Sequence, residues 1–327
     1  MKITVTRDVF ALAQVFTIAR GSRSEAEVVR VEIEHGGVSG QGECVPYARY
    51  GETVTSVMDQ IRKLPTPLSR RQLQDLLPAG AARNAVDCAL WDLEAKQADV
   101  PVWVLAGLPE PVPEVTAYTL SLDVPAKMRE QARQNRDREL LKVKLGGKQG
   151  DLERIRAVRD GAPEPRIIVD ANEGWTPAIY REMIPELARL GVEMVEQPLP
   201  AHDDAPLVDL ERPLTLCADE SCHDRSSLPS LRGKYDMINI KLDKTGGLTE
   251  ALALREAALA EGYQIMVGCM LGSSLAMAPA VLVAQGAAVT DLDGPLLLAE
   301  DREPPLEYDT DGVHPADGEL WGETGSE

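Results

Sequence analysis

Apolar and polar positions follow two different periods in the first third of this chain. Residues 16–45 alternate between apolar and polar around the glycine pair at 36–37, which predicts antiparallel strands joined by a tight turn. Residues 81–97 instead carry one apolar face with the spacing of an α-helix, formed by Val86, Ala89, Leu90 and Leu93. These elements predict an α+β domain over residues 1–112, because the Pro-rich segment 108–114 is typical of a boundary.

The pattern changes after this boundary, where short apolar runs alternate with helical stretches. Successive runs end 22 to 27 residues apart, at Lys144, Asp170, Glu196, Asp219, Lys241, Gly268 and Asp291. This spacing is the length of one strand, one helix and two short loops, and residues 115–121 supply an eighth run. Eight parallel strands with crossover helices close into a barrel. Because no long helix follows the last run, we predict a modified (β/α)7β TIM-like barrel over residues 113–299.

Residues 265–290 carry no charge over 26 positions, which is long enough to cross a bilayer. Glycines, serines and Pro279 interrupt this segment, and it lacks flanking basic residues. We therefore predict a buried strand, loop and helix here.

Net charge and cysteine content indicate which partners are disfavoured and in which compartment the protein is expected. The chain has 327 residues and a formal net charge of −19, which disfavours binding to nucleic acid or to an anionic membrane. Five cysteines without a CxxC pair fit a reducing cytosol, and the N-terminus lacks the pattern of a secretion signal. We therefore predict a cytoplasmic protein; the sequence leaves open whether it forms a homo-oligomer.

Ionisable residues close most of the predicted barrel strands, at the edge where barrel active sites form. Asp170, Glu196 and Asp219 end neighbouring strands, and three converging carboxylates repel one another unless a cation lies between them. Oxygen ligands without His or Cys suit Mg²⁺, with Mn²⁺ as a substitute. We predict one such site per chain, and we expect the four histidines to be structural or surface residues.

Two lysines flank this predicted metal site. Lys144 and Lys241 end strands four apart, which lie on opposite sides of an eight-stranded barrel. A substrate carboxylate on the metal would then have one lysine on each face of its α-carbon, so that an enediolate forms and can be reprotonated on the other face. This arrangement predicts racemisation or epimerisation. Lys142 lies on the same strand face as Lys144, and repulsion between the two like charges is predicted to lower the pKa of each and to keep part of Lys144 neutral.

Two further groups suggest a substrate with charged ends. Asp291 and Asp293 lie on one face after the last strand. They form either a helix N-cap or surface turn, or an anionic pair suited to an ammonium group. Arg20 and Arg23 lie on a predicted turn in the first domain. A loop arginine is more often solvated than functional, but one here could instead reach a substrate carboxylate.

The chain resembles the enolase superfamily, which uses a lysine base with Mg²⁺ to form an enediolate. More narrowly it is similar to the dipeptide epimerases, and within them to the L-Ala-D/L-Glu epimerases of murein peptide metabolism. The resemblance runs from about residue 18 to 295. It rests on the segments ARGSRSEA, GECVPYARYGE, PAGAARNAVDCALWDLEA, LLKVKLG, IVDANEGW, EQPLPAHDDA, CADESCH, NIKLDKTGGLTEALAL, GCML and DLDGP.

This resemblance implies a role for each candidate residue. Lys144 and Lys241 are the acid/base pair, and the three carboxylates bind the metal. Asp291 and Asp293 hold the ammonium group of a dipeptide, and Arg23 holds the side-chain carboxylate of its Glu residue. The first domain caps the barrel, and residues 300–327 return to this cap. A place in murein peptide degradation and cell wall recycling is also implied.

Other functions stay open at this point. Another dipeptide specificity would keep the same lysines and carboxylates. A cycloisomerase of the same subgroup would have no use for the aspartate pair, and a non-catalytic peptide-binding protein would be expected to lose a lysine or a carboxylate. A Schiff-base aldolase barrel needs one lysine and no carboxylate triad.

Overall fold

The N-terminal part of the chain is an antiparallel sheet with helices on one side. The structure, a computed structural model, describes residues 1–146, 150–316 and 318–322. The strands of the N-terminal sheet, in the order β1-β2-β3, are Lys2–Ile18, Gly21–His35 and Val38–Cys44. Four helices follow: α1 (Val54–Arg62), α2 (Arg70–Leu76), α3 (Ala81–Ala98) and α4 (Val102–Leu105). We call this unit the cap. The α+β architecture predicted for the first third of the chain is confirmed.

Helix α3 is the longest helix and is buried on more than one side. Its predicted apolar face packs with β2 and β3 in the cap core, where Val86 and Leu93 are almost completely inaccessible to solvent. Cys88 and Trp91, on another face, belong to the core of the barrel. The helix therefore joins the two cores, and polar residues along it are available to contact the barrel.

The second part of the chain is an eight-stranded parallel sheet, with the strands in sequence order. The barrel strands are β4 (Tyr118–Leu120), β5 (Leu140–Lys144), β6 (Arg166–Asp170), β7 (Val192–Glu196), β8 (Thr215–Ala218), β9 (Met237–Ile240), β10 (Gln264–Gly268) and β11 (Val289–Asp291). The helices are α5 (Pro125–Gln134), α6 (Asp151–Gly161), α7 (Pro177–Arg189), α8 (Leu228–Leu231), α9 (Leu242–Thr245), α10 (Leu248–Ala260) and α11 (Ser274–Ala284). A parallel bridge between Thr116 and Thr290 joins the first and last strands, so the predicted barrel is confirmed.

One crossover differs from the predicted alternation of strand and helix. Between β7 and β8 the chain forms only a short 3-10 helix, Ala205–Asp209. This segment contains four prolines, at positions 198, 200, 206 and 213. Proline lacks a backbone N–H and clashes with the preceding turn, so a regular crossover helix cannot form here.

The uncharged segment 265–290 forms β10, a loop and α11, as predicted. Strand β10 and helix α11 are largely buried in the barrel core. Among the described residues, every helix is too short or too polar to cross a membrane.

The C-terminal segment packs against the cap. After the hairpin of β12 (Tyr308–Asp309) and β13 (Gly312–Val313), the backbone O of Leu320 accepts a hydrogen bond from Gln41. The indole of Trp321 donates to the backbone O of Cys88 in α3. Leu320 and Trp321 therefore contact the cap, while the return of the whole segment 300–327 and the domain boundaries at 112 and 299 stay predictions.

Candidate active site

Three carboxylates meet at the C-terminal edge of the barrel. Asp170 and Glu196 are the last residues of β6 and β7, and Asp219 follows β8 directly. One oxygen from each lies within 4.8 Å of the others, and all three side chains are buried. The neighbouring strand ends bring these residues together as the sequence predicted.

The donor set fits a hard cation such as Mg²⁺. Burial and the charge of Asp170 raise the pKa of Glu196, as expected for a carboxylate crowded by another carboxylate. Oε2 of Glu196 is buried and, among the described residues, accepts no hydrogen bond of normal geometry, although Nζ of Lys142 lies 2.6 Å away. An all-oxygen set of buried carboxylates is the environment that Mg²⁺ and similar ions prefer.

Lys144 and Lys241 lie on the two sides of this triad. Nζ of Lys144 is 2.7 Å from Oδ2 of Asp170, and Nζ of Lys241 is 2.7 Å from Oδ2 of Asp219. Both side chains are more than nine-tenths buried but line the same cavity. The first lysine ends β5 and the second follows β9, so the strands that carry them are four apart in the sheet.

Lys142 lines the same cavity as Lys144, but it has carboxylate partners that the prediction did not include. Its ammonium group lies 2.6 Å from Glu196 and 2.7 Å from Asp291. Although burial alone would lower it, these carboxylates raise the pKa of Lys142 well above its usual range. Its charge is therefore balanced by carboxylates. The predicted lowering of the pKa of Lys142 by Lys144 is therefore wrong, because the carboxylates of Glu196 and Asp291 outweigh the repulsion between the two lysines.

Asp291 and Asp293 lie in the same cavity, at the end of the last strand. Oδ2 of Asp291 accepts from Lys142, whereas its Oδ1 is buried and has no hydrogen-bond partner in the described part of the chain. Asp293 accepts a 2.6 Å hydrogen bond from the backbone N of Thr119. Burial, together with Asp291, raises the pKa of Asp293 to about 6. A pair with an open buried oxygen is suited to a cationic group.

The two cap arginines have different environments. Arg23, near the start of β2, lines the cavity with its guanidinium 5.5 Å from the ring centre of Tyr47. Among the described residues it has no carboxylate partner, which leaves it available to a ligand. Arg20 contacts the barrel instead: it donates to the backbone O of Asn172 at 3.0 Å and lies 2.8 Å from Glu220. The expectation of a solvated loop arginine is wrong for Arg20.

Glu173, in the loop after β6, contacts two arginines of the cap. Its carboxylate forms a bidentate pair with Arg49 at 2.8 Å and lies 3.4 Å from Arg20. It also accepts a hydrogen bond from the backbone N of Ala201. Glu173 is in the left-handed region with φ of 66°, a strained position for a non-glycine residue. The cap is thus fixed to the loop that follows Asp170.

Several residues of the site were not among the candidates predicted from the sequence. Asn239 donates to Oε1 of Glu196 at 2.7 Å, and Lys244 donates to Oδ1 of Asp219 at 2.6 Å. Asn239 lies two residues before Lys241 on the same strand face, so alternation could have identified it. Glu220 is buried beside Asp219, and burial raises its pKa to about 8. The sequence gives no sign that Glu220 belongs to the site, because two adjacent carboxylates after a strand are also common at protein surfaces.

Gly268 explains why β10 ends without an ionisable side chain. A Cβ atom at this position would lie 2.7 Å from Oδ1 of Asn239 and 3.1 Å from Cε of Lys241. The glycine therefore leaves room for the two neighbouring side chains of the site.

These groups surround one cavity of about 450 Å³ between the cap and the barrel. Lysines and carboxylates form its floor, and the cap contributes Arg23 with the aromatic rings of Tyr47 and Tyr50. The cavity can therefore hold a small molecule with both anionic and cationic ends.

Both halves of the chain match known protein families. Residues 1–107 match the mandelate racemase / muconate lactonizing enzyme N-terminal domain, and residues 127–321 match the enolase C-terminal domain-like family. The chain is 48% identical to the L-Ala-D/L-Glu epimerase of Escherichia coli strain K12, covering 95% of this chain and 99% of that protein. It is also 45% identical to an N-acetyl-D-glutamate racemase of a Pseudoalteromonas species, covering 86% and 91%.

Solved structures show the same similarity. An enolase family member from Agrobacterium tumefaciens with homology to dipeptide epimerases, solved with bound sodium and L-Ala-L-Glu, is 52% identical with a TM-score of 0.95, covering 98% of this chain and 99% of that one. A dipeptide epimerase from Enterococcus faecalis V583, complexed with Mg and L-Leu-L-Tyr, is 28% identical with a TM-score of 0.89, covering 98% of each chain. From these matches and the geometry above, the chain belongs to the enolase superfamily and, within it, to the epimerases and racemases, which are isomerases.

Proposed function

We propose that this enzyme is a Mg²⁺-dependent epimerase that inverts the Glu α-carbon of L-Ala-D/L-Glu dipeptides. The observation that carries the proposal is one cavity with an anionic pair, two lysines beside a carboxylate triad, and a guanidinium that has no carboxylate partner in the described part of the chain. A free dipeptide ending in Glu has an ammonium group, an α-carboxylate and a side-chain carboxylate. The cavity offers the two carboxylates of the aspartate pair to the ammonium group and Arg23 to the side-chain carboxylate, and the triad that would hold a metal lies beside it for the α-carboxylate.

Asp170, Glu196 and Asp219 would hold the cation. When bound, a divalent cation supplies positive charge that polarises a substrate carboxylate and so acidifies the neighbouring α-carbon. Oxygen donors favour Mg²⁺, and Mn²⁺ can be accommodated by the same ligands.

The two lysines move the proton. One lysine removes the α-proton from one face, and the other delivers a proton to the opposite face, which inverts the centre. Lys144 and Lys241 are suited to this because they approach the triad from strands four apart. Lys142 supports the reaction through its charge. Its ammonium group pairs with Glu196 of the triad and with Asp291 of the aspartate pair, and so holds these two carboxylates next to each other.

The ammonium group of the dipeptide is expected to bind at Asp291 and Asp293. N-acetylation of L-Ala-L-Glu removes this charge and leaves the buried oxygen of Asp291 without a partner. Breaking one side of a buried charge pair costs about 3–5 kcal/mol, so kcat/KM should fall roughly 10²- to 5 × 10³-fold. Polarimetry or NMR on the free and the acetylated dipeptide measures this ratio.

Adding N-acetylglutamate as a third substrate separates a second candidate function, racemisation of N-acetylglutamate, which the 45% identical relative suggests. That substrate has no ammonium group for the aspartate pair. Faster turnover of N-acetylglutamate than of L-Ala-L-Glu would overturn the dipeptide proposal. As a matched variant, Asp293→Asn should reduce the preference for the free dipeptide and leave the acetylated one comparatively unaffected.

Selectivity for Glu is expected to depend on Arg23. Its guanidinium can pair with the Glu side chain in a bidentate, charge-assisted geometry. Arg23→Met should lower kcat/KM for L-Ala-L-Glu by roughly tenfold to several-hundredfold, since hydrogen bonds to charged groups contribute about 1.5–3 kcal/mol. L-Ala-L-Leu should lose far less. Initial rates with both dipeptides test this.

Arg30 provides the control for Arg23. It is on the same strand, pairs with Asp8 at 3.5 Å and is not among the residues that line the cavity. Arg30→Met should leave the ratio of Glu to Leu substrates unchanged. An equal loss for both dipeptides in Arg23→Met would mean that Arg23 supports the cap and does not select Glu. Arg20→Met is unsuitable as a neutral control, because Arg20 attaches the cap to Asn172 and Glu220.

The biological setting is proposed on the resemblance alone. A role in murein peptide degradation would follow from the substrate class, because the proposed dipeptide joins L-Ala to Glu. A cytoplasmic location agrees with the five free cysteines.

A further inference from the structure

The cap contacts the barrel at a second place, behind the lysine that follows β9. Lys241 is the residue before α9, the short helix Leu242–Thr245, and its backbone O accepts hydrogen bonds from residues 244 and 245. The position of Lys241 therefore depends on where α9 lies. Lys244, also on α9, holds the carboxylate and the backbone O of Asp219 at 2.6 Å each. One short helix thus places two lysines against the same carboxylate.

Helix α3 of the cap holds α9 through buried polar contacts. Nδ2 of Asn84 donates to Oδ1 of Asp243 at 2.9 Å, and the backbone N of Val45 donates to the same oxygen at 3.0 Å. Arg83 donates to the backbone O of Thr245 at 2.6 Å. Asn84 is 2% exposed and Asp243 6%, so water does not readily replace these hydrogen bonds.

The chain after α9 is also in direct contact with α3. Gly247 has φ of 112°, and a Cβ atom there would lie 2.5 Å from the Cβ of Asp87. Asp87 then accepts from the backbone N of Thr249 at 2.9 Å and from its hydroxyl at 2.7 Å. Only glycine at 247 permits this close approach, so α9 and the turn after it have little room to shift relative to the cap.

The other lysine is held differently. Lys144 is the last residue of β5, within a regular parallel ladder that pairs it with Asp170. Lys241 lies beyond the end of its strand and is attached to a four-residue helix. A shift of α9 would therefore move Lys241 and leave Lys144 in place.

From this asymmetry we propose that Asn84, together with Arg83, is a positioning residue for Lys241. The cap thereby serves proton transfer on one face of the substrate, in addition to closing the cavity. The inference rests on the proposed function, because it assumes that the two lysines act on opposite faces. It predicts that loosening the contact between α3 and α9 slows proton transfer at one epimer only.

Exchange of the substrate α-proton in deuterium oxide, measured by NMR separately on L-Ala-L-Glu and L-Ala-D-Glu, tests the proposal. The Lys241→Ala variant first identifies the epimer that Lys241 deprotonates, since only that epimer should lose exchange. Asn84→Ala should then slow exchange of the same epimer about tenfold to a hundredfold, because small misplacements of a reacting group have effects of this order. Exchange of the other epimer should stay near the wild-type rate.

Matched variants separate positioning from general support of the fold. Asp243→Asn keeps the oxygen that accepts from Asn84 and Val45 and should retain the wild-type ratio of exchange rates, whereas Asp243→Ala should behave like Asn84→Ala. Asp92, on α3 but away from α9, accepts hydrogen bonds from the backbone N of Gln41 and of Gly322. Asp92→Ala removes these buried contacts and should lower Tm without changing the ratio. If Asn84→Ala does not fold, Arg83→Met tests the same contact at the other end of α9.

Two outcomes overturn the inference. Equal slowing of both epimers in Asn84→Ala, or a loss of Tm with an unchanged ratio, would make α3 a purely structural element. Failure of the proposed function is recognised separately, because then Lys241→Ala and Lys144→Ala would not remove exchange from opposite epimers.

Discussion

Replacing Lys144 or Lys241 by alanine should abolish epimerisation while α-proton exchange of one epimer survives in each variant. Inversion needs a base on one face of the α-carbon and an acid on the other. The loss of either group should lower epimerisation by at least ~10²–10⁴-fold, the usual contribution of a general acid or base. The remaining lysine can still remove a proton from its own face and return a deuteron from solvent.

The structure supports this expectation through the independence of the two lysines. Lys144 pairs with Asp170 and Lys241 pairs with Asp219, so the loss of one ammonium group leaves the other pair intact. Proton NMR in deuterium oxide should therefore show complementary results, with exchange of one epimer in Lys144→Ala and of the other in Lys241→Ala.

Lys234 offers a control of the same residue type. It forms a 2.5 Å pair with Asp204 and does not line the cavity. Lys234→Ala should keep both exchange rates in the wild-type ratio. Epimerisation near the wild-type rate in Lys144→Ala or Lys241→Ala would make the two-base assignment wrong, and exchange of both epimers in each variant would point to a third base.

The regular spacing of strand ends was enough to predict the barrel and the meeting of its rim residues. Period and strand order determine which residues are neighbours at a barrel edge, and Asp170, Glu196 and Asp219 are neighbours by that rule alone. The absence of a regular helix between β7 and β8 could also have been predicted from the sequence, because the four prolines in that segment prevent one from forming.

Charge balance could not be predicted in the same way. The pKa of Lys142 was argued from its sequence neighbour Lys144, but its closest partners, Glu196 and Asp291, are 54 and 149 positions further along the chain. Ion pairs across a barrel form between side chains that point inward at the same height along the barrel axis. The spacing of residues in the sequence does not show which side chains these are. The wrong expectation for Arg20 has the same origin, since its partners Asn172 and Glu220 lie in the other domain.

Removing divalent cations should abolish activity, and Mg²⁺ should restore it. The charge stabilisation that a metal gives to a developing oxyanion is of the order of several kcal/mol, which corresponds to a loss of at least ~10³-fold. Burial and Asp170 raise the pKa of Glu196, so a bound cation would also stabilise the charged form of this carboxylate. Activity before chelation, after chelation and after addition of Mg²⁺ gives the direct measurement.

Calorimetric titration with Mg²⁺ tests the ligands without relying on turnover. Glu196→Gln keeps the shape of the side chain but removes one charge, so binding at the triad should be lost or much weaker. A second group in the described residues, Glu307, Asp309 and His314, also brings a possible donor set together. It lies on the C-terminal hairpin, it is more exposed, and His314 already lies 2.9 Å from Asp309. Asp309→Asn should therefore bind Mg²⁺ like the wild type. Full activity in protein shown to be free of metal, or unchanged binding in Glu196→Gln, would remove the triad from the mechanism.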